Sequence, residues 1–281
     1  MLIWILGSDG LLGKSMQLCL KQRQIPFFAT NRMQADITQL ELLKDIAQKQ
    51  RPTHIINCAA YNHVDQAEKE PAQAYAVNAQ GPENLGRLSA AFGIKIVHVS
   101  TDYVFDGEKK SPYLETDLCA PKNVYGASKR EGEKKLLAVA PGACVVRTSW
   151  LFGKGGINFI SKLPQLFLTH EELEVDAKHI SRPTFCFDLA EALVEFLSKS
   201  GIFHYAGSLS VSRFQVAEQI LKIGNALGLP FKCRAIKPLH NPTFNALRPL
   251  YSVLDISYIE SMLKSRPRPL EETLKELLKD V

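Results

Sequence analysis

Leu2-Ile3-Trp4-Ile5-Leu6-Gly7-Ser8-Asp9-Gly10-Leu11-Leu12-Gly13 is the stretch that decides the fold. Five apolar residues in succession suit a strand buried on both faces, as in a parallel sheet, and not one with a wet face. The glycines at 7, 10 and 13 let the backbone turn sharply and run close to a pyrophosphate. A helix starting at Leu11 offers that anion its free N–H groups and the positive end of its dipole. Strand, glycine turn and helix in this order open a dinucleotide-binding unit. On this reading Gly7, Asp9, Gly10, Leu11, Leu12 and Gly13 border the cofactor.

Gly13-Lys14-Ser15 also looks like the end of a GxxxxGK[ST] phosphate loop, but the count fails. The position that must be glycine is Ser8, and no later apolar run ends cleanly in a magnesium-binding Asp. A nucleotide hydrolase is therefore the weaker reading.

Working outward, further short apolar runs at 26–29, 54–57, 95–99 and 143–147 read as buried strands. Between them 11–24, 40–49, 72–92 and 124–140 carry apolar residues at three- and four-residue spacing, which predicts helices. Repeated strand–helix alternation implies right-handed crossovers and an α/β doubly wound parallel sheet, a Rossmann fold. After Trp150 the rhythm changes: Gly153, Gly155 and Gly156 crowd together, and prolines from Pro183 to Pro269 punctuate the rest. Helices are predicted at 188–199, at 216–227 and after Pro269. The division expected is a dinucleotide-binding domain over 1–149, with 186–202 returning to it, and a smaller substrate-binding lobe over 150–281.

Composition narrows the class. Of 281 residues 46% are hydrophobic and 22% charged, ordinary for a globular protein. The net charge of +5, from 34 basic and 29 acidic residues, is scattered, so no nucleic-acid partner is expected. The first apolar run is too short for a membrane span or a signal peptide, so no membrane is expected either. Six dispersed cysteines without CxxC, and no His pair at zinc spacing, read as reduced thiols in a cytoplasmic protein with no metal site.

The second predicted strand should end with the group that reads the adenosine ribose. An acid there favours NAD; this chain has Thr30-Asn31-Arg32, with Asp36-Ile37 following to flank the adenine. Arg32 can pair with a 2′-phosphate, which favours NADPH and leaves NADH open. Val99-Ser100-Thr101-Asp102 lies at the carboxyl end of the fourth predicted strand, where open α/β sheets bind ligands. Tyr125 and Lys129, four apart on a helix, share one face. A free tyrosine titrates near pH 10; an ammonium about 4 Å away supplies roughly the 4 kcal/mol needed to bring it near 7. In the reducing direction Tyr125 protonates a carbonyl oxygen as hydride arrives. Thr101, or Ser100 beside it, hydrogen-bonds the same oxygen, and Lys129 holds the nicotinamide ribose.

These residues resemble the extended short-chain dehydrogenase/reductases, whose GxxGxxG and YxxxK match Gly7–Gly13 and Tyr125–Lys129. Nearer still, the chain is similar to the dTDP-4-dehydrorhamnose reductases. The matching stretches are Asn57-Cys58-Ala59-Ala60-Tyr61, Val64-Asp65-Gln66-Ala67-Glu68, Val77-Asn78-Ala79, the run from Ser100 to Gly107, the run from Pro121 to Gly126, and Arg147-Thr148-Ser149-Trp150. Fainter matches include Arg182-Pro183-Thr184, Asp188-Leu189-Ala190 and Arg248-Pro249 with Ser252 and Leu254. The resemblance implies NADPH-dependent reduction of the C4 ketone of a dTDP-linked 6-deoxy sugar, in the biosynthesis of dTDP-rhamnose and cell-surface polysaccharide. It implies that Ala59, Ala60, Tyr61 and Val99 border the cofactor, that Thr101 and Asp102 meet the substrate or tune the tyrosine, and that Trp150 walls the sugar. It also admits a homodimer.

Departures are local. Lys178-His179-Ile180-Ser181 replaces the family's Asp-Gln-x-Gly, Ser212-Arg213 replaces a Ser-Trp, and Ser15 stands where some members carry an acid for a magnesium-linked dimer. Two other readings stay open. An NDP-sugar epimerase of the same fold is one; a dehydratase loses ground because Asp102-Tyr103 is not an Asp-Glu pair. The other is a non-catalytic NADP-binding regulatory subunit, which would have no need of an intact Thr101–Tyr125–Lys129 set.

Overall fold

The computed structural model describes residues 1–154, 156 and 158–279; Gly155 of the glycine cluster lies outside them. The strands are β1 Ile3–Leu6, β2 Phe27–Thr30, β3 His54–Asn57, β4 Lys95–Thr101, β5 Cys144–Thr148, β6 Leu151–Phe152, β7 Glu172–Asp176, β8 Ile180–Ser181, β9 Thr184–Phe185, β10 Gly201–His204, β11 Val211–Ser212 and β12 Ala235–Leu239. The helices are α1 Leu11–Gln22, α2 Leu40–Gln50, α3 Val64–Ala67, α4 Pro71–Tyr75, α5 Gly81–Phe92, α6 Val124–Val139, α7 Phe159–Thr169, α8 Cys186–Phe196, α9 Arg213–Ala226, α10 Ser257–Met262 and α11 Leu270–Leu278.

Six strands form a sheet in the order β10-β5-β4-β3-β1-β2, and every neighbouring pair is parallel. The alternation of its apolar strands explains why the sheet is buried on both faces. Ile3 and Ile5 enter one core with Met16 and Leu20 of α1 and Leu189 and Leu193 of α8. Trp4 and Leu6 enter the other, with Leu43 of α2, Leu85 of α5 and Leu136 of α6. The strand order reverses between β1 and β3, and such a switch opens a crevice at the carboxyl ends of the strands.

A third core collects Phe152, Leu163, Phe167, Val216, Ile220 and Leu274 from α7, α9, α11 and the short strands around them. Among the corrections the predicted spans need, α8 covers Cys186–Phe196 and not 188–199, and α9 starts at Arg213 and not at 216. The helix expected over 72–92 is α4 and α5 joined by a π-helical turn, Ala76–Gln80. The fourth strand runs on to Thr101, two residues past the predicted end. Sequence reading assigns no helix over 159–169, yet α7 forms there, started by an Asn158–Ser161 capping box and carrying Pro164 inside it.

Candidate active site

The turn after β1 is built by close approach. Gly7 takes φ +77, and a Cβ on it would stand 2.7 Å from the Ala59 nitrogen beyond β3. A Cβ on Gly13 would stand 2.2 Å from the Gly7 carbonyl oxygen. Side chains are thus excluded where α1 begins. Gly10 caps that helix without a side-chain hydrogen bond, and no acid occupies its first turn. Bare N–H groups and an unopposed dipole end face the crevice, as a pyrophosphate needs.

Two connected cavities follow. One, of about 760 Å³, is lined by Gly7, Asp9, Gly10, Asn31, Arg32, Asp36, Ile37, Ala59, Ala60 and Tyr61, with His63, Gln66 and Glu70 beyond expectation. The other, of about 600 Å³, shares Asp9, Gly10 and Ala60 with it and continues along Leu11, Leu12, Val99, Thr101, Asp102, Tyr125, Lys129 and Trp150. Each expected site residue except Gly13 lines one of the two; Gly13 packs beneath the loop instead.

In the first cavity the Asn31 amide donates to Asp9 (3.0 Å), and the mostly exposed Arg32 pairs with Asp36 at 3.4 Å. Burial pushes Asp36 upward, but its bonds from Thr38 and Arg32 outweigh it, and the carboxyl falls below its ordinary range. Ile37 is fixed by Asn84, whose amide donates to its carbonyl at 3.0 Å.

The second cavity holds the reactive groups. Asn123 caps α6 by accepting from Gly126 N at 2.7 Å, which sets Tyr125 in the first turn. Tyr125 packs edge-on against Tyr103 at 5.8 Å. Lys129, 2% exposed, donates to the Val99 carbonyl at 2.7 Å and approaches His98 Nε2 at 3.5 Å. Burial pushes the lysine down to about 8. The lowered tyrosine pKa expected from the ammonium is not found here. Burial drives the Tyr125 phenol well above its ordinary value, Asp102 adds to the rise, and only Thr101 opposes it. Lys129 is bound to a carbonyl of β4 and leaves Tyr125 a protonated phenol, which suits a proton donor better than a base.

Thr101 also departs from expectation in detail. Its hydroxyl already donates to Asp102 Oδ1 at 3.1 Å and accepts from Tyr103 N at 3.2 Å. Trp150 lies at φ +40, a strained backbone for a bulky side chain, and Arg213 stacks 5.2 Å over its ring. The Thr148 hydroxyl, in the cavity wall, is buried without a partner. Together with the side-chain-free glycine turn, it fits a long polar molecule lying across both cavities.

Several positioning residues stood in stretches the sequence analysis named, without a task assigned to them. Asn78, presented by the π turn, accepts from Tyr61 N (2.8 Å) and donates to Tyr61 O (2.9 Å) and Ser128 Oγ (3.0 Å), locking the Tyr61 loop to α6. Asn57 accepts from Ala59 N (3.1 Å) and its amide meets His98 Nδ1 at 2.9 Å. Ser181 and Ser252 bond Asp102. For Asn78 it is the π turn that supplies the task.

The chain matches the family described as the RmlD substrate binding domain over residues 1–281. A protein named dTDP-4-dehydrorhamnose reductase from Aggregatibacter actinomycetemcomitans is 35% identical over 291 residues, covering 97% of each chain. Among solved structures, a dTDP-4-dehydrorhamnose reductase of Clostridium acetobutylicum superposes with TM-score 0.93 at 34% identity, covering 99% of this chain and 98% of that one. One from Bacillus anthracis, solved in complex with NADP, has TM-score 0.93 at 34% identity, covering 100% and 99%. By sequence over its whole length, and with its fold in agreement, this chain belongs to the RmlD substrate-binding-domain family.

Proposed function

We propose that the protein is an NADPH-dependent oxidoreductase that reduces the C4 ketone of a dTDP-linked 4-dehydro-6-deoxyhexose to the alcohol, the step that makes dTDP-rhamnose. The observation that carries this reading is the meeting of Thr101, Tyr125 and Lys129 in one cavity that opens directly onto the glycine turn. A bound NADPH supplies the hydride.

The chain's own residues do the rest. Gly7 to Gly13 and the start of α1 hold the pyrophosphate, and Arg32 meets the 2′-phosphate once it turns from Asp36. Lys129, anchored on Val99, reaches the ribose hydroxyls at the inner end of the cofactor. Tyr125, kept protonated by burial, gives its proton to the oxygen of the ketone as that oxygen gains charge. Trp150 offers a flat apolar wall to the sugar. Chain 1–149, joined by 186–202, acts as the cofactor half and 150–281 as the substrate half. Six free cysteines, four of them buried, suit a reducing cytoplasm. Among the described residues no helix is long and apolar enough to cross a membrane.

The test is NADPH oxidation with dTDP-4-dehydrorhamnose beside other nucleotide-linked 4-keto sugars. Tyr125→Phe is expected to lose at least a hundredfold in kcat while NADPH binding survives. Tight NADPH binding without turnover of any keto sugar would favour a non-catalytic, ligand-sensing subunit.

A further inference from the structure

Asn57 ends β3 and His98 stands beside it on β4, paired in register, and both side chains are fully buried. The Asn57 carbonyl oxygen accepts from Ala59 N at 3.1 Å, so the other end of the amide is its NH2 group. That group donates to His98 Nδ1 at 2.9 Å.

A ring nitrogen that accepts carries no hydrogen. The one hydrogen of the neutral imidazole is therefore on Nε2; a second on Nδ1 would face the Asn57 NH2 donor to donor. Burial, with Lys129 adding to it, holds His98 well below its ordinary range and keeps the ring neutral. Nε2 stands 3.5 Å from Lys129 Nζ. A bare ring nitrogen would draw an ammonium to about 3 Å, and the wider gap is that of an N–H facing it. Lys129 instead gives a hydrogen to the Val99 carbonyl at 2.7 Å. The other groups around it are Glu133 one turn on in α6, Cys58 just past β3, and Tyr125 and Asp102 in the same cavity wall. Glu133 favours the ammonium, but its carboxylate is shared with Arg147 and Arg130.

We propose that Asn57 and His98 are positioning residues that act through Lys129: Asn57 holds the imidazole as its Nε2–H tautomer, and that hydrogen, aimed at Nζ, favours the amine over the ammonium. An N–H bonds the lone pair of an amine and finds none on an ammonium, so it stabilises the neutral form alone. The effect adds to that of burial, which pushes the lysine down to about 8. Lys129 thus exchanges its proton close to neutrality, and the charge it offers the ribose end of the cofactor falls away on the alkaline side. This rests on the reading of Lys129 as the group that holds the ribose hydroxyls.

¹⁵N NMR of the assigned His98 ring reads the tautomer in the unaltered enzyme, without cofactor or sugar. A hydrogen on Nε2 and none on Nδ1 is expected; an Nδ1–H, or an imidazolium at pH 7, overturns the proposal. ¹³C NMR of the lysine ε-carbons, with Lys129→Met to identify the signal, reads the ammonium. In His98→Phe its midpoint is expected to rise by about one pH unit, a tenfold gain in proton affinity. Asn57→Asp still accepts from Ala59 N but takes a hydrogen from Nδ1, which turns a bare Nε2 toward Lys129 and is expected to raise the midpoint further. The new carboxylate also acts by charge alone, so Asn57→Asp is repeated in His98→Phe, where its added rise is expected to be smaller. A midpoint unmoved in His98→Phe, or an equal rise from Asn57→Asp in both backgrounds, overturns the proposal. The alkaline limb of kcat/KM for the keto sugar is expected to move with these midpoints, which a loss of packing alone would not cause. Midpoints that move while the unaltered enzyme reduces no keto sugar uphold the control of Lys129 and overturn the reduction reading instead.

Discussion

At Asp102 burial and hydroxyl donation work against each other, and the balance bears on stability. Its carboxyl ordinarily titrates at 3.8 and is raised to about 6 in the fold. The folded protein therefore holds that proton more tightly than the unfolded chain. Its stabilising effect is complete below about pH 4 and is lost as pH rises through about 6. Asp102→Asn is accordingly expected to gain stability relative to the parent on going from pH 4 to pH 7. The gain is at most about 3 kcal/mol, taking 1.36 kcal/mol for each pH unit, and urea unfolding at the two pH values measures it. Gly13→Ala carries a different penalty, because its Cβ would collide with the Gly7 carbonyl. NADPH affinity is expected to fall at least tenfold, read by fluorescence titration. Arg32→Ala is expected to weaken NADPH more than NADH, since only the former has a phosphate for it to hold. The glycines, Arg32, Tyr125 and Lys129 were legible because local spacing defines them. Ser181, Ser252 and Asn57 were named only in stretches compared with the family, and their roles were not legible, because their partners lie 79, 150 and 41 residues away.

Helix α6 is the element on which the chemistry hangs, and a buried ion pair fixes it to the sheet. Glu133 of α6 receives two hydrogen bonds from Arg147 of β5, at 2.9 and 2.8 Å, with both side chains at most 1% exposed. Burial pushes Glu133 upward, but the Arg147 bonds and charge overcome it and hold the carboxyl below its ordinary range. Glu133→Gln leaves the guanidinium buried without its counter-charge. A loss of about 3–5 kcal/mol is expected, measured by denaturant unfolding. On its other side α6 meets the π turn through Gly132, where a Cβ would stand 1.9 Å from Asn78 O. A 3.6-residue period reads straight through such a turn, so one continuous helix was expected where Asn78 is in fact re-aimed. Helix α7 escaped for another reason: a glycine-rich approach and Pro164 look like punctuation, while the Asn158 cap that starts it depends on side-chain geometry. Two-residue strands such as β6, β8, β9 and β11 show no period at all.

Across the whole molecule, β10 closes the edge of the sheet beside β5, although 52 residues separate Thr148 from Gly201. A hydrogen-bond partner of Asp102 in the reactive cavity arrives later still, with Ser252. The chain leaves the ribosome amino end first, so the glycine turn emerges early while the sheet lacks its last strand. Until residue 204 is out, β5 is an unpaired edge with an apolar run, a template for wrong pairing. Until residue 252 is out, Asp102 lacks its shortest hydrogen bond. Assembly of this site is thus a terminal event of synthesis, and a nascent chain cut short anywhere before residue 252 carries Tyr125 and Lys129 without the serine that steadies their neighbour.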